Sequence, residues 1–208
     1  SLFLVPMDHP GLEVRATWTI GDERTNEVFF DDVFVPDEYL VGERGSGFQY
    51  ISEALDLERF TMFTFSPIEQ KFGELVDYVR SERRDGRLLR EDPLVRQRVA
   101  QLATQCEVAR VLGLRFVDAA SGVGKKPPTV EASEYKLYAT GLSQRVANAM
   151  VDVCGPGAQL RVYTGTAPLR GRPEMTYRYS VIDTIGGGAS EIQKNIIARR
   201  KLGLPKNF

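Results

Sequence analysis

Two apolar stripes of helical period constrain this chain more than any other feature. Val95, Val99, Leu102, Cys106, Ala109, Leu112 and Phe116 step by threes and fours, and so do Tyr135, Ala139, Leu142, Val146, Met150 and Val153. Residues spaced this way share one face of an α-helix and need a partner surface to bury them. A further long helical pattern runs through "GFQYISEALDLERFTMFTFSPIEQKFGELVDYVRSERRDG", interrupted or kinked before Pro67 and ended at the turn "RDG". "SGVGKKPP" separates the two striped helices, and "QLRVYTGTAPLRGRP" reads as a loop dense in turn residues. Two shorter helices are predicted in "EMTYRYSVIDTI" and "SEIQKNIIARRKLG", hinged at Gly186, Gly187 and Gly188. Three long and two short helices imply a helical bundle.

The front of the chain has a different period. "LFLV", "LEVRATWTI" and "TNEVFFDDVFVP" read as strands, the last alternating about Val28, Phe30 and Val33 until Pro36 stops it. Three such strands are too few for a sheet with water on both faces, so they need further strands or a helical layer. The expected division is a β segment over residues 1–40 and a helical domain over 41–208. The chain begins within a strand pattern and without methionine, which suggests a piece of a longer protein.

Composition narrows the function by exclusion. Of 208 residues 42% are hydrophobic and 26% charged, with a formal net charge of −1, so no overall basicity argues for nucleic acid or an anionic membrane. No segment approaches a membrane span, and no signal-peptide pattern is present. One histidine and two scattered cysteines make a nitrogen–sulfur metal site improbable. Cys106 and Cys154 fall inside helical apolar patterns, as buried free thiols do. A cytosolic, metal-free protein is expected.

There is no Walker loop, dinucleotide fingerprint or nucleophile elbow. Among ionisable groups "ALDLERF" stands out, because Asp56, Glu58 and Arg59 lie in a run of apolar and aromatic residues. A carboxylate desolvated there would be raised toward general-base work near neutrality. The alternative is a plain surface carboxylate beside Arg59, since charged side chains are seldom buried. The glycines of "TIGGGASEIQ" are similarly open. They form either a turn, or a backbone pressed against a ligand at a helix N-terminus.

Taken together, these segments resemble one family. "TNEVFFDDVFVPDEYLVGERGSGFQYISEALDLERF" resembles the strand-to-helix junction of the acyl-CoA dehydrogenases. "GGGASEIQKNIIARR" resembles the last helix of that family, and "CGPGAQLR" resembles the glycine-rich stretch after its third long helix. The resemblance covers the chain in order. It implies a mostly α fold, namely the family's C-terminal helical bundle with a truncated end of its middle β domain in front.

The implied activity is FAD-dependent α,β-dehydrogenation of an acyl-CoA thioester to the trans-2-enoyl-CoA. A glutamate takes the α-proton, and electrons leave to an electron-transferring flavoprotein. Most members carry that glutamate in the turn before the last helix, where this chain has Gly187. The chain resembles a subgroup that places it on the first long helix of the C-terminal domain, which implies Glu58 as the base. By the same matching Arg59 orients the site, Asp56 bonds the pantetheine arm, and Gly187 leaves room for the acyl chain.

Departures from the family pattern bear on the cofactor. The residues that usually hold a neighbouring subunit's flavin fall in "ERRDGRLLREDPLVRQ", where only Arg83 or Arg84 matches. Gly155 and Gly157 remain to approach the adenosine part, and Gly188 and Ser190 to contact the flavin, although Ala189 stands where threonine is usual. This resembles bacterial dehydrogenases of two different subunits, linked to sterol side-chain breakdown, with fewer flavins than subunits. The implied setting is a bacterial cytoplasmic homo- or hetero-oligomer, dimer or tetramer. A silent or flavin-completing partner subunit is the alternative, and the 208-residue piece alone is expected to be inactive.

Overall fold

The computed structural model describes residues 1–61, 65–121 and 128–205, without the side chains of 56, 57 and 59–61. Two compact units divide the chain, Ser1–Leu57 and Glu58–Phe208.

In the first unit β1 (Leu2–Phe3) pairs antiparallel with β4 (Leu40–Val41), and β2 (Leu12–Trp18) forms a hairpin with β3 (Arg24–Phe30). The hairpin register sets Leu12 opposite Phe30 and Trp18 opposite Arg24. The predicted third strand stops short of Pro36, because Asp32 takes a left-handed φ of 45° just after it. The predicted "LFLV" strand likewise shrinks to two residues. Instead of one three-stranded sheet the unit holds two separate two-stranded ones. Trp18 and Phe30 are 69% and 63% exposed on the hairpin, which agrees with the expectation that these strands need further cover. Helix α1 (Gly47–Thr61) begins in this unit, and the division falls within it.

The second unit is helical. The long pattern expected from residue 46 onward is two helices, α1 and α2 (Phe65–Ser81). Pro67 sits in the first turn of α2, where a missing N–H costs no intrahelical bond. A small hairpin not foreseen from sequence, β5 (Arg83–Arg84) with β6 (Arg87–Leu88), turns at Asp85 and Gly86. Helix α3 (Pro93–Ala120) is capped by Asp92, whose carboxylate accepts from the Leu94 N–H at 2.8 Å, with Pro93 opening the helix. Helix α4 (Thr129–Cys154) is the axis of the unit and packs against α2, α3, α5 (Arg172–Asp183) and α6 (Ser190–Arg200). The breaker "SGVGKKPP" lies largely outside the described residues.

Both predicted stripes are core. Leu102, Cys106 and Ala109 from α3 meet Tyr135, Leu142, Val146 and Met150 from α4 in one buried cluster with Leu75 of α2. Cys106 and Cys154 are buried free thiols. Among the described residues no helix is long and apolar enough to cross a membrane, and no acidic or sulfur-bearing cluster could hold a metal ion.

Candidate active site

Helix α4 carries a second stripe beside its apolar one. Ser133, Lys136, Thr140 and Ser143 are all buried at helical spacing. Two of them grip the turn between α5 and α6. The Ser143 hydroxyl donates to Asp183 Oδ2 at 2.8 Å, at the end of α5. Two helical turns away, Lys136 Nζ donates to the Gly188 carbonyl at 2.8 Å. Gln193 of α6 closes on the same peptides, its Nε2 donating to the Gly188 carbonyl at 2.9 Å and the Gly187 carbonyl at 3.2 Å. Lys136 and Gln193 are each 0% exposed.

The glycines answer to this packing. Gly187 and Gly188 have φ of 64° and 98°, and a Cβ on Gly188 would lie 2.6 Å from Gln193 Nε2. Burial pushes the amine of Lys71 on α2 below its usual range, against the pull of Asp183 and with a push from Arg172. The α6 N-terminus has Ala189 at its cap and no side-chain hydrogen bond there. Ser190 turns its N–H and hydroxyl back to the Thr184 carbonyl, at 3.0 and 3.4 Å.

Glu58 lies in the last turn of α1 with its side chain half-buried. Asp56 and Arg59 are on the same helix, but their side chains lie outside the described residues.

The remaining sequence candidates gather at the far end of α4. Gly155 ends that helix at φ 68°, ψ −153°, and Arg84 donates from Nη2 to the Val153 carbonyl just before it. That places the Arg84 guanidinium 3.5 Å from where a Cβ on Gly155 would stand. A Cβ on Gly157 would meet Pro168 at 3.1 Å. Arg83 donates to the Gly86 carbonyl at 2.8 Å inside its own exposed hairpin. At about 1.5 Å of rise per residue, Lys136 and Val153 are roughly 25 Å apart along α4. The structure therefore keeps the 187–190 group and the 83–157 group as two places.

Lys136, Ser143 and Gln193 were not singled out by sequence reasoning. A signal existed, since Ser133, Lys136, Thr140 and Ser143 repeat at the same period as the apolar stripe next to them.

The family model for the acyl-CoA dehydrogenase C-terminal domain matches residues 45–202. The chain belongs to the acyl-CoA dehydrogenase family. It is 28% identical over 208 residues to acyl-CoA dehydrogenase FadE26 of Mycobacterium tuberculosis, covering 99% of this chain and 52% of that protein. It is 33% identical over 207 residues to acyl-CoA dehydrogenase IpdE1 of Mycolicibacterium smegmatis, covering 99% and 49%. Among solved structures, the ChsE4-ChsE5 complex from Mycobacterium tuberculosis superposes with a TM-score of 0.88 at 28% identity, covering 98% of this chain and 53% of that one. The chain thus spans about half the length of the relatives it matches.

A flavin, as the family implies, finds different receptions at the two ends of α4. No side chain caps the N-terminus of α6, and the helix dipole there favours a polar, electron-rich group. At the other end the Arg84 guanidinium stands at ordinary contact distance from Gly155 and Pro168 packs closely on Gly157, so a group approaching these glycines would meet a cation there.

Proposed function

We propose that this acyl-CoA dehydrogenase chain takes part in FAD-dependent α,β-dehydrogenation of an acyl-CoA thioester, giving the trans-2-enoyl-CoA, with Glu58 as the base. The observation that carries the reading is the turn before α6. Where the resemblance expects a glutamate, Gly187 offers only backbone, and its carbonyl is held inward by Gln193. A base must then come from elsewhere, and Glu58 is a half-buried carboxylate at the position the subgroup uses.

Glu58 removes the proton on the α-carbon, breaking that C–H bond as the α,β double bond forms. The bound flavin supplies the two-electron acceptor for the hydrogen leaving the β-carbon. Gly188, Ser190 and the open N-terminus of α6 would hold it. Gly187, without a side chain, leaves room for the acyl group, while Asp56 and Arg59 are the candidates for holding the pantetheine arm and orienting the site. A water-poor setting would strengthen the Glu58 carboxylate as a base toward carbon. Electrons then pass to an electron-transferring flavoprotein.

The partner is proposed to be a second acyl-CoA dehydrogenase subunit, the same or a sister chain. That the ChsE4-ChsE5 structure is a complex of two named chains supports the sister-chain form. Glu58 argues against a silent subunit, and a chain that completes a neighbour's flavin site remains the alternative reading.

Glu58→Gln in the full-length protein, purified with its partner, tests the assignment. Turnover is expected to fall by roughly 1,000-fold or more, as for loss of an essential base, with the flavin absorbance kept. Activity near wild type would remove Glu58 from this role.

A further inference from the structure

We propose that Lys136 is a positioning residue, whose buried ammonium acts with the Gln193 amide to hold the 187–188 peptide carbonyls inward and so fix the backbone edge in front of α6. The inference rests on the function proposed above only for what that edge serves. The clamp itself stands on the packing.

A fully buried lysine is a poor way to stabilise a helical core. Its ammonium loses water on burial, a loss that an apolar side chain of similar volume would not suffer. Gln193 repeats the pattern. Its Nε2 bridges two carbonyls while its buried Oε1 has no hydrogen-bond partner among the described residues. Both burials converge on the Gly188 carbonyl, and Gln193 reaches that of Gly187 as well. That convergence is what distinguishes a positioning device from incidental core polarity.

The neighbouring bonds point to the same purpose. Thr140 Oγ1 donates to the Lys136 carbonyl at 2.9 Å, which ties the hydroxyl back onto α4. Ser143 fixes the α5 end of the turn through Asp183. Gly188, at φ 98°, allows Gln193 Nε2 to reach its carbonyl, and any Cβ there would displace that amide. With Lys136 on α4 and Gln193 on α6, the turn is held from two elements at once. A peptide plane fixed at its carbonyl is fixed at its N–H as well.

The test uses the full-length protein with its flavin and partner, comparing wild type, Lys136→Met and Gly188→Ala. Amide hydrogen exchange reads the turn directly. In Lys136→Met, exchange over residues 184–192 is expected to rise about 10-fold or more, with α2 and α3 unchanged. With an acyl-CoA substrate, kcat is expected to fall roughly 10- to 100-fold while KM moves less than about threefold, as for a misplacement of catalytic geometry. Gly188→Ala breaks the clamp from the other side without touching the lysine, and should give the same local rise in exchange.

Unchanged exchange at 184–192 in both variants would overturn the proposal. So would faster exchange across all of α2 to α6 with a fall in melting temperature, which would make Lys136 a folding residue alone. If the Glu58→Gln protein keeps its turnover, the proposed reaction fails while the exchange result still decides the clamp.

Discussion

Gly155 and Gly188 both hold positive φ, at 68° and 98°, and both sit beside α4, yet their surroundings differ in kind. Around Gly188 the protein's own groups take the carbonyl and leave the α6 N-terminus without a side-chain cap. Around Gly155 a guanidinium covers the residue itself and bonds the last turn of α4. One glycine precedes a helix start without a side-chain cap, and the other ends a helix beneath a guanidinium. The lesson is that a glycine-rich stretch acquires meaning from what occupies the Cβ direction, which no one-dimensional pattern states.

If the Gly155 end is closed, its chemistry should be inert, and the thiols give the largest contrast. Burial pushes Cys154 from 9.0 up to about 11, against the pull of Tyr78 and Arg84, and pushes Cys106 to about 11 as well. At pH 8 the reactive thiolate is then on the order of 100-fold scarcer than for an ordinary cysteine, and labelling by a disulfide reagent should slow accordingly. Labelling at the rate of an unfolded control would break the comparison. The stability sign follows from the same shifts. The folded state holds the thiol protons more tightly than the unfolded one, so this contribution is full below pH 9 and lost as pH rises toward 11. Tyr78, raised to about 12 chiefly by burial, extends the loss above pH 10. The urea midpoint should therefore fall between pH 8 and pH 10.5.

Much of the helical unit was legible because burial has a period. The stripes from Val95 to Phe116 and from Tyr135 to Val153 announced both long helices and the core between them. The strand segment was less legible, since alternation in "TNEVFFDDVFVP" does not reveal that Asp32 adopts a left-handed backbone and ends the pairing. The chain's departure at Gly187 was visible in the sequence, and so was the carboxylate at Glu58. The clamp was not, because a lysine in a helix usually reads as solvated. Lys136 is buried where the turn before α6 returns to α4, a contact across 52 positions. Arg84, which the resemblance matches to a flavin-holding position, also bonds a carbonyl 69 positions away, a contact that no local pattern states.

Gly155→Ala sharpens the contrast through the backbone. Its φ 68°, ψ −153° lies where essentially only glycine is comfortable, so a Cβ should cost about 1–3 kcal/mol in stability. Steric crowding adds little, because the nearest atom of Arg84 would be at 3.5 Å, an ordinary contact. The variant should therefore melt earlier and still exchange normally over residues 184–192. Faster exchange at that turn would mean that the two ends of α4 are coupled, and the comparison would lose its premise.

Arg84→Ala has the smallest expected effect and separates the two ends most sharply. Arg84 is exposed, so its bond to the Val153 carbonyl is partly replaced by water once removed, and the loss should be about 1 kcal/mol. What matters is the flavin content of the full-length protein with its partner. A guanidinium serving only as a helix cover can be deleted with the flavin-to-chain ratio unchanged, since nothing at Gly155 was holding the cofactor. A ratio that falls would make Arg84 a cofactor ligand after all. A ratio that rises would mean that Arg84 was excluding flavin, and that uncovering Gly155 restores a site this chain keeps shut.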